Sequence, residues 1–412
     1  MEKELLQPLS GFRDQLEPSK SAILDELKKI FQSFGYLELE TPVIEKQEIL
    51  LGNYGEEAQK LLYLFEDNGK RKVGLRYDLT VPLSRFIAAN YQELALPFKR
   101  FEIGPVFRAE KPQAGRFRQF TQADIDVVGS ESGEKEILEI VASAAKDFSL
   151  KITCLVNDRR IVDAVFEDLK VKTDIRQSLL RLLDKKDKIA TERLARELDD
   201  LGLTTVQKKA VNGLFLGDYE PFDEIEELLG QLEALTELKG LVKFGQSIGL
   251  KMKFDLSMVR GLDYYTGTIF ECVVESYGGG TLMGGGRYDG LVESLIGQKL
   301  PAVGISFGVD RIGEVMRLKK SETLFIVCLP ENEIEIRRWA TELREKGKKV
   351  EVYLDSAVEL GKQIKYADKR GYKTIIIPLE EAWKKGCVEV KDLESGKQEV
   401  IERSSFMVRD VN

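Results

Sequence analysis

The chain of 412 residues contains no histidine at all. That absence removes every Ser-His-Asp and Cys-His nucleophilic arrangement and every histidine-ligated metal site, because no imidazole is available as base or ligand. Cysteine is nearly as scarce. Cys154, Cys272, Cys328 and Cys387 lie far apart in sequence and form no CxxC pair, so a disulfide framework and a thiolate zinc site are both disfavoured and burial as small apolar side chains is expected. No apolar run approaches the roughly 18 residues of a membrane span, and the N-terminal MEKELLQPLSGFRD lacks a signal core, so a cytoplasmic protein is expected. A net charge of −8 argues against indiscriminate polyanion binding, although local patches decide that matter more than totals do. Any chemistry here must run on carboxylates, guanidinium groups and bound ions.

With 43% apolar residues the chain is long enough for two or three cores. SKSAILDELKKIFQSFG (19–35) has helical spacing, a Ser at its start and a Gly at its end, and is followed by the strand-like YLELETPVIE. Residues 71–130 read as short strands alternating with loops, and 134–150 as a helix. From about 165 to 250 the pattern is one of charged amphipathic helices, and strand patterning returns over 253–310. Beyond Lys320, LFIVCLP, IEIRRWATELREKG, KKVEVYL, GKQIKYADKRG and KTIIIPL alternate as a small βαβ-type domain with a mainly parallel sheet.

Three stretches carry polar residues that turn and strand chemistry alone does not require. FRAEKPQAGRFRQFTQADID (107–126) places Arg108, Glu110, Arg116, Arg118, Phe120, Gln122 and Asp126 on two arms joined by KPQAG. Such a hairpin offers guanidinium forks for phosphate or carboxylate oxygens and an aromatic face for a base. GISFGVDR (304–311) leads through glycines into a helix bearing Arg311, which would cover the other face of that base in a cation–π sandwich with Phe120. RGLDYYTGTIFE (260–271) sets an arginine, an aspartate and two tyrosines between glycines. A solvated, salt-bridged hairpin is the alternative for the first of these.

In order and spacing these stretches resemble the signatures of class II aminoacyl-tRNA synthetases. GYLELETPVI (35–44) resembles motif 1, FRAE with the loop, Arg116 and Phe120 resembles motif 2, and GISFGVDR resembles motif 3. RGLDYYTG, LRYDLTVPLSR (75–85), VNDRRI (156–161) and GGGRYDGL (284–291) narrow the likeness to histidyl-tRNA synthetases. The resemblance implies an α+β catalytic domain over 1–320, an antiparallel sheet flanked by helices and interrupted by a helical insertion at about 165–250. It also implies an anticodon-binding α/β domain over 322–412.

The implied activity is ligation of L-histidine to tRNA(His) through a histidyl-adenylate, with ATP as substrate and Mg2+ on its phosphates. Arg108 and Arg260 would clamp the phosphoryl oxygens, and no general base is needed because the attacking carboxylate is already ionised. ATP would also meet Glu110, Phe120 and Arg311. The substrate ammonium would meet Asp78, Thr80 and Gln122, while Asp126 and Tyr265, with Tyr264 alongside, would read the imidazole, which has one donor and one acceptor nitrogen. For Asp78 the competing reading is a cap on a helix starting at LTVPLSRF, and for the tyrosines it is core packing.

GGGTLMGGGRYDG (278–290) lacks the GKS or GKT of a Walker loop, so its glycines are expected to close over the histidine pocket with Arg287 and Tyr288 nearby. Arg116 is the candidate for the tRNA acceptor end. REKGKK (344–349) and Lys362, Lys365, Lys369 and Arg370 are the candidates for the anticodon. Motif 1 implies a homodimer, and no metal-ligating side-chain set is expected. The runner-up reading is the catalytically silent paralogue that serves as regulatory subunit of ATP phosphoribosyltransferase.

Overall fold

The computed structural model describes residues 6–14, 18–53, 56–112, 116–183, 186, 189–217, 221–258, 265–275, 277–278, 280–316 and 323–407. Two compact units divide the chain, residues 1–316 and 317–412.

The first unit begins with α1 (Pro18–Ser33), β1 (Leu37–Glu38), β2 (Ile44–Lys46), α2 (Gln47–Asn53), α3 (Glu56–Gln59), β3 (Leu64–Glu66) and β4 (Lys72–Leu75). Helix α4 (Thr80–Asn90) precedes two long strands, β5 (Phe98–Phe107) and β6 (Gln119–Val128), and α5 (Gly133–Asp147) leads to β7 (Ile152–Asp158). Six helices follow: α6 (Arg159–Asp168), α7 (Thr173–Leu183), α8 (Thr191–Asp200), α9 (Thr205–Leu216), α10 (Phe222–Leu229) and α11 (Glu233–Ser247). The unit closes with β8 (Lys251–Phe254), β9 (Thr268–Val274), β10 (Met283–Arg287), α12 (Asp289–Ile296), β11 (Ala302–Gly308) and α13 (Val309–Met316).

Eight of these strands form one sheet, in the order β1-β5-β6-β11-β10-β9-β7-β8, antiparallel except at its two edge pairs, β1 with β5 and β7 with β8. Its faces read out the period of two along β6. Ala123, Ile125 and Val127 enter a large core shared with α1, α5, α6 and the helices after it. On the other side Tyr77, Val81, Leu83, Ile87, Tyr288, Leu291 and Val292 build a smaller core from α4 and α12. The polar residues of β6 therefore lie between two apolar layers, where each needs a partner.

Several expectations change in detail. The region 71–130 contains the 11-residue helix α4, and its main strands are ten residues long because β5 and β6 pair along their whole length. Strand patterning over 253–310 is interrupted by α12, whose start is marked by Asp289 and whose end is a left-handed Gly297. The helices of the insertion do not stand apart: Leu179, Leu198, Val211, Phe215 and Leu238 belong to the same core as the sheet. Cys154 and Cys272, remote in sequence, are register partners on β7 and β9 and are both fully buried, whereas Cys387 is half-buried.

In the second unit β12 (Leu324–Ile326), α14 (Glu333–Glu345), β13 (Val350–Val352), α15 (Leu360–Lys369) and β14 (Thr374–Ile377) form parallel pairs with crossover helices. A short α16 (Glu380–Lys384) then leads to the hairpin β15 (Cys387–Asp392) and β16 (Gln398–Glu402). The sheet, ordered β13-β12-β14-β15-β16, is thus half antiparallel where a mainly parallel one was expected. The exposed, charge-rich ESGK turn gives little apolar alternation to reveal that hairpin.

Candidate functional site

Alternation along β6 sends Gln122, Asp124 and Asp126 to one face of the sheet, and β5 places Arg100 and Glu102 opposite Asp126 and Asp124. Arg100 is fully buried, 2.9 Å from Asp126 Oδ2, and donates to the Leu79 carbonyl at 2.9 Å. The Tyr288 hydroxyl donates to the other Asp126 oxygen at 2.5 Å. Glu102 accepts from Arg76 at 2.8 Å and from the Thr41 amide and hydroxyl at 3.0 and 2.8 Å. Arg76, Arg100, Glu102 and Asp126 are tolerated this deep because each lies against an opposite charge. Burial lifts the Asp126 pKa above the usual carboxylate range, with Arg100 and Tyr288 opposing that rise.

Glycines bring the facing strands close to these carboxylates. Gly304, the register partner of Asp126 on β11, has no room for a side chain, since a Cβ there would lie 2.0 Å from Asp126 Oδ1. A Cβ on Gly285 would lie 2.0 Å from the Gly304 carbonyl oxygen. The result is a cavity of about 110 Å³ whose walls include Asp78, Thr80, Gln122, Asp124, Asp126, Tyr265 and Tyr288. Asp78 Oδ1 accepts from the amides of Thr80 and Val81, at 3.1 and 2.9 Å, as the helix-capping reading expects, and the residue also lines the cavity.

A second cavity of about 290 Å³ shares Arg108, Gln122, Gly284 and Ser306 with the first. Glu110, Arg116, Phe117, Phe120, Glu271, Asp310 and Arg311 complete its charged and aromatic lining. Arg108 is held by a hydrogen bond from Nε to the Tyr77 carbonyl, 3.2 Å, with its guanidinium carbon 4.3 Å from the centre of the Tyr77 ring and 5.1 Å from that of Phe120. Arg311 donates to the Thr281 carbonyl at 2.6 Å, and Arg116 sits 3.4 Å from Glu110. A compact anion-accepting chamber with an aromatic wall therefore adjoins a small acidic one, and Arg108 belongs to both. Among the described residues no three Cys, Asp or Glu side chains converge in the manner of a metal centre.

The structure brings Asp78, Thr80, Gln122, Asp126, Tyr265 and Arg108 to the smaller cavity and Arg108, Glu110, Arg116, Phe120 and Arg311 to the larger. Arg260 and Tyr264 lie outside the described residues. Arg287, expected beside the smaller cavity, is not in its wall. Its guanidinium pairs with Glu134 at 2.6 Å and with Asp289 at 3.3 Å, which draws it toward the start of α5. In the second unit Arg344 donates to the Val350 carbonyl at 2.9 Å and Arg370 lies 3.5 Å from Glu351, so both arginines brace the sheet. Lys362, Lys365 and Lys369 are exposed on α15.

Three contributors were not singled out in the sequence. Arg100 and Asp124 were visible only as members of the alternation that contains Gln122 and Asp126. Asp310, at the start of α13, receives the Thr121 amide at 2.9 Å and the side chains of Arg13 and Lys20 at 3.3 Å. Arg13 in turn lies 3.7 Å over the Phe117 ring. No local pattern connects positions almost 300 residues apart.

Comparison with known proteins gives a consistent result along the chain. The sequence profile described as histidyl-tRNA synthetase matches residues 11–312, and that described as an anticodon binding domain matches 323–408. A histidine–tRNA ligase from Rhodopirellula baltica is 38% identical, over 94% of this chain and 94% of its own length. The crystal structure of histidyl-tRNA synthetase from Nostoc sp. PCC 7120 superposes with a TM-score of 0.80 at 26% identity, covering 97% of this chain and 98% of that one. An ATP phosphoribosyltransferase regulatory subunit/histidyl-tRNA synthetase from Bacillus halodurans superposes at 0.73 over 90% of this chain and 98% of its own, and at 24% identity that likeness is one of fold.

Proposed function

This chain belongs to the histidyl-tRNA synthetase family, and from that premise we propose that its two adjoining cavities hold histidine and ATP for the charging of tRNA(His). The observation that carries this assignment is the junction itself. Arg108 and Gln122 stand where an acidic chamber sized for a small amino acid meets a chamber lined by arginines and an aromatic ring.

In the first step a histidine carboxylate oxygen bonds to the α-phosphorus of ATP, the bond to pyrophosphate breaks, and histidyl-adenylate remains. Both reactants are anionic where they meet, so the contribution of the protein is alignment and fixed positive charge. Arg108, held by Tyr77, faces the α-phosphoryl oxygens, and Arg260 is the second clamp. Phe120 and Arg311 sandwich the adenine, with Glu110 beside it. Asp78, Thr80 and Gln122 receive the ammonium, while Asp126, oriented by Arg100 and Tyr288, reads the ring together with Tyr265 and Tyr264. In the second step a terminal hydroxyl of the tRNA displaces AMP, with Arg116 at the acceptor end.

Mg2+ fits this site as a passenger of the nucleotide, since it takes phosphate oxygens and waters with only one or two carboxylates. Of the carboxylates in the wall of the larger cavity, Asp310 is engaged by Thr121, Arg13 and Lys20, and Glu110 and Glu271 would face the ion. When bound it neutralises phosphate charge. The working division is a catalytic region over 1–320 with a helical insertion at about 165–250, and an anticodon reader over 322–412 that presents Lys362, Lys365 and Lys369. The enzyme works in the cytoplasm as a homodimer through the α1–β1 region, a reading supported by the exposure of Leu37 and Ile44 on the edge strands of two sheets.

Histidine-dependent exchange of pyrophosphate into ATP tests the assignment. Exchange is expected with histidine alone among the amino acids, and Arg108→Ala and Arg260→Ala are each expected to lower it at least 100-fold, as loss of a transition-state charge partner does. Undiminished exchange in either variant removes that arginine from the mechanism. The runner-up paralogue would show no exchange in the unaltered protein.

A further inference from the structure

We propose that Asp124 is a specificity-determining contact for histidine, accepting the α-ammonium of the substrate between Gln122 and Asp126. The inference rests on the reading of the smaller cavity as the histidine site and adds to it a residue with no assigned role.

The geometry is that of a carboxylate kept available. Asp124 is 3% exposed and lines the cavity, and its Oδ1 is buried without a hydrogen-bond partner among the described residues. Of its neighbours with opposite charge, Arg100 pairs with Asp126 and donates to the Leu79 carbonyl, so its charge reaches Asp124 only as a shared one, and Arg76 is held by Glu102, Thr41 and Pro105. The residues facing it are Ser306 on β11, Glu102 and Arg100 on β5, Asp126 on its own strand and Asp78 before α4, so carboxylates outnumber guanidinium groups around it. A buried, unpaired carboxylate is a costly arrangement unless something cationic arrives. Burial lifts its pKa to about 8, with Arg100 and a hydrogen bond with the Ser306 side chain opposing the rise and Asp126 and Asp78 adding to it, so without a cation beside it the group is largely the neutral acid at pH 7.

The arriving cation has to be small and must bring its charge to the middle of the cavity. The position of Asp124 distinguishes the two ends of histidine. Gln122 borders the nucleotide chamber and Asp126 is the carboxylate fixed by Arg100 and Tyr288. With the carboxylate of histidine toward Arg108 and its ring at Asp126, the carbon bearing the ammonium lies over Asp124. An ammonium there is a charge-assisted donor to an oxygen that has no other partner, and it would displace the carboxyl proton on binding.

The test is calorimetric binding of three probes to the full chain: L-histidine, histamine, which lacks the carboxylate, and imidazole-4-propionate, which lacks the ammonium. Asp124→Asn is expected to weaken histidine and histamine roughly 10- to 100-fold and to leave imidazole-4-propionate within about twofold. Equal losses for all three, or no loss for histamine, would overturn the proposal. Failure of the unaltered protein to bind histidine would instead overturn the assignment of the cavity, and this proposal with it. The variant replaces a largely neutral buried carboxyl by a neutral amide of nearly the same shape and is expected to unfold no earlier than the parent at pH 7. If it nevertheless fails to fold, Asp124→Ser read against the same three probes decides the matter.

Discussion

At the scale of single residues, Asp124 links stability to pH in a direction opposite to that of an ordinary carboxylate. Its pKa stands at about 8 in the folded chain against an ordinary 3.8. Between those values the folded state holds a proton that the unfolded state has released, so stability falls as pH rises through the window and the penalty is complete above it. Asparagine has no such proton. Asp124→Asn should therefore match the parent near pH 4 and exceed it at pH 9, by roughly 1–3 kcal/mol once relaxation around the buried charge is allowed for. Urea melts at the two pH values measure the difference, and a gap that shrinks with rising pH would contradict it. Individual residues also mark what a sequence can convey. Arg108, Phe120 and Arg311 stood out through the likeness of their stretches to the motifs of class II synthetases, since alternation alone left a salt-bridged hairpin open. Asp310 did not, since its meaning lies in Arg13 and Thr121, which only the folded chain brings to it.

At the scale of elements, the site is made by strands that approach more closely than side chains allow. Gly304→Ala on β11 would place a methyl group 2.0 Å from Asp126 Oδ1 and 2.8 Å from the Ile125 carbonyl, and one of those neighbours is backbone that cannot swing away. A cost of roughly 1–3 kcal/mol is expected from such overpacking, with histidine binding lost more completely than ATP binding because the displaced carboxylate belongs to the smaller cavity. Thermal unfolding together with titrations of the two substrates separates the effects, and a parallel loss of both affinities would contradict the account. The same strands show where sequence reading succeeds and where it stops. Two arms joined by KPQAG were legible over 107–126 and the glycines of β10 as closing over a pocket, whereas those of β11 were read only as an entry into a helix. The pairing of β10 between β9 and β11 depends on contacts that no local pattern encodes, and so did the departure of Arg287 to Glu134.

At the scale of the whole molecule, the first unit carries its own large core while exposing apolar residues at sheet edges. Leu37, 63% exposed, is on β1 at the edge of the large sheet, and Ile44, 50% exposed, is on β2 at the edge of the small sheet β2-β4-β3. Large apolar side chains placed so are suited to an isologous contact with a second copy. Replacing both by aspartate is expected to shift sedimentation from dimer to monomer at micromolar concentration while leaving the circular dichroism spectrum unchanged. A monomer in the unaltered protein would remove that interface. The two-unit division was the most legible feature of all, since a change from mixed patterning to strand–helix alternation near Lys320 is a change of architecture.

The acidic cavity has one more consequence. With histidine in it as proposed, every imidazole proton resonance in a spectrum of the complex comes from the ligand, because the chain has no histidine of its own. The ring, labelled with carbon-13, can be titrated in place with no protein imidazole to confuse it and with the protons of the 20 Phe, 13 Tyr and 2 Trp filtered out. The chemical shifts of its two carbon-bound protons would report directly whether Asp126 holds it as the neutral base or as the cation.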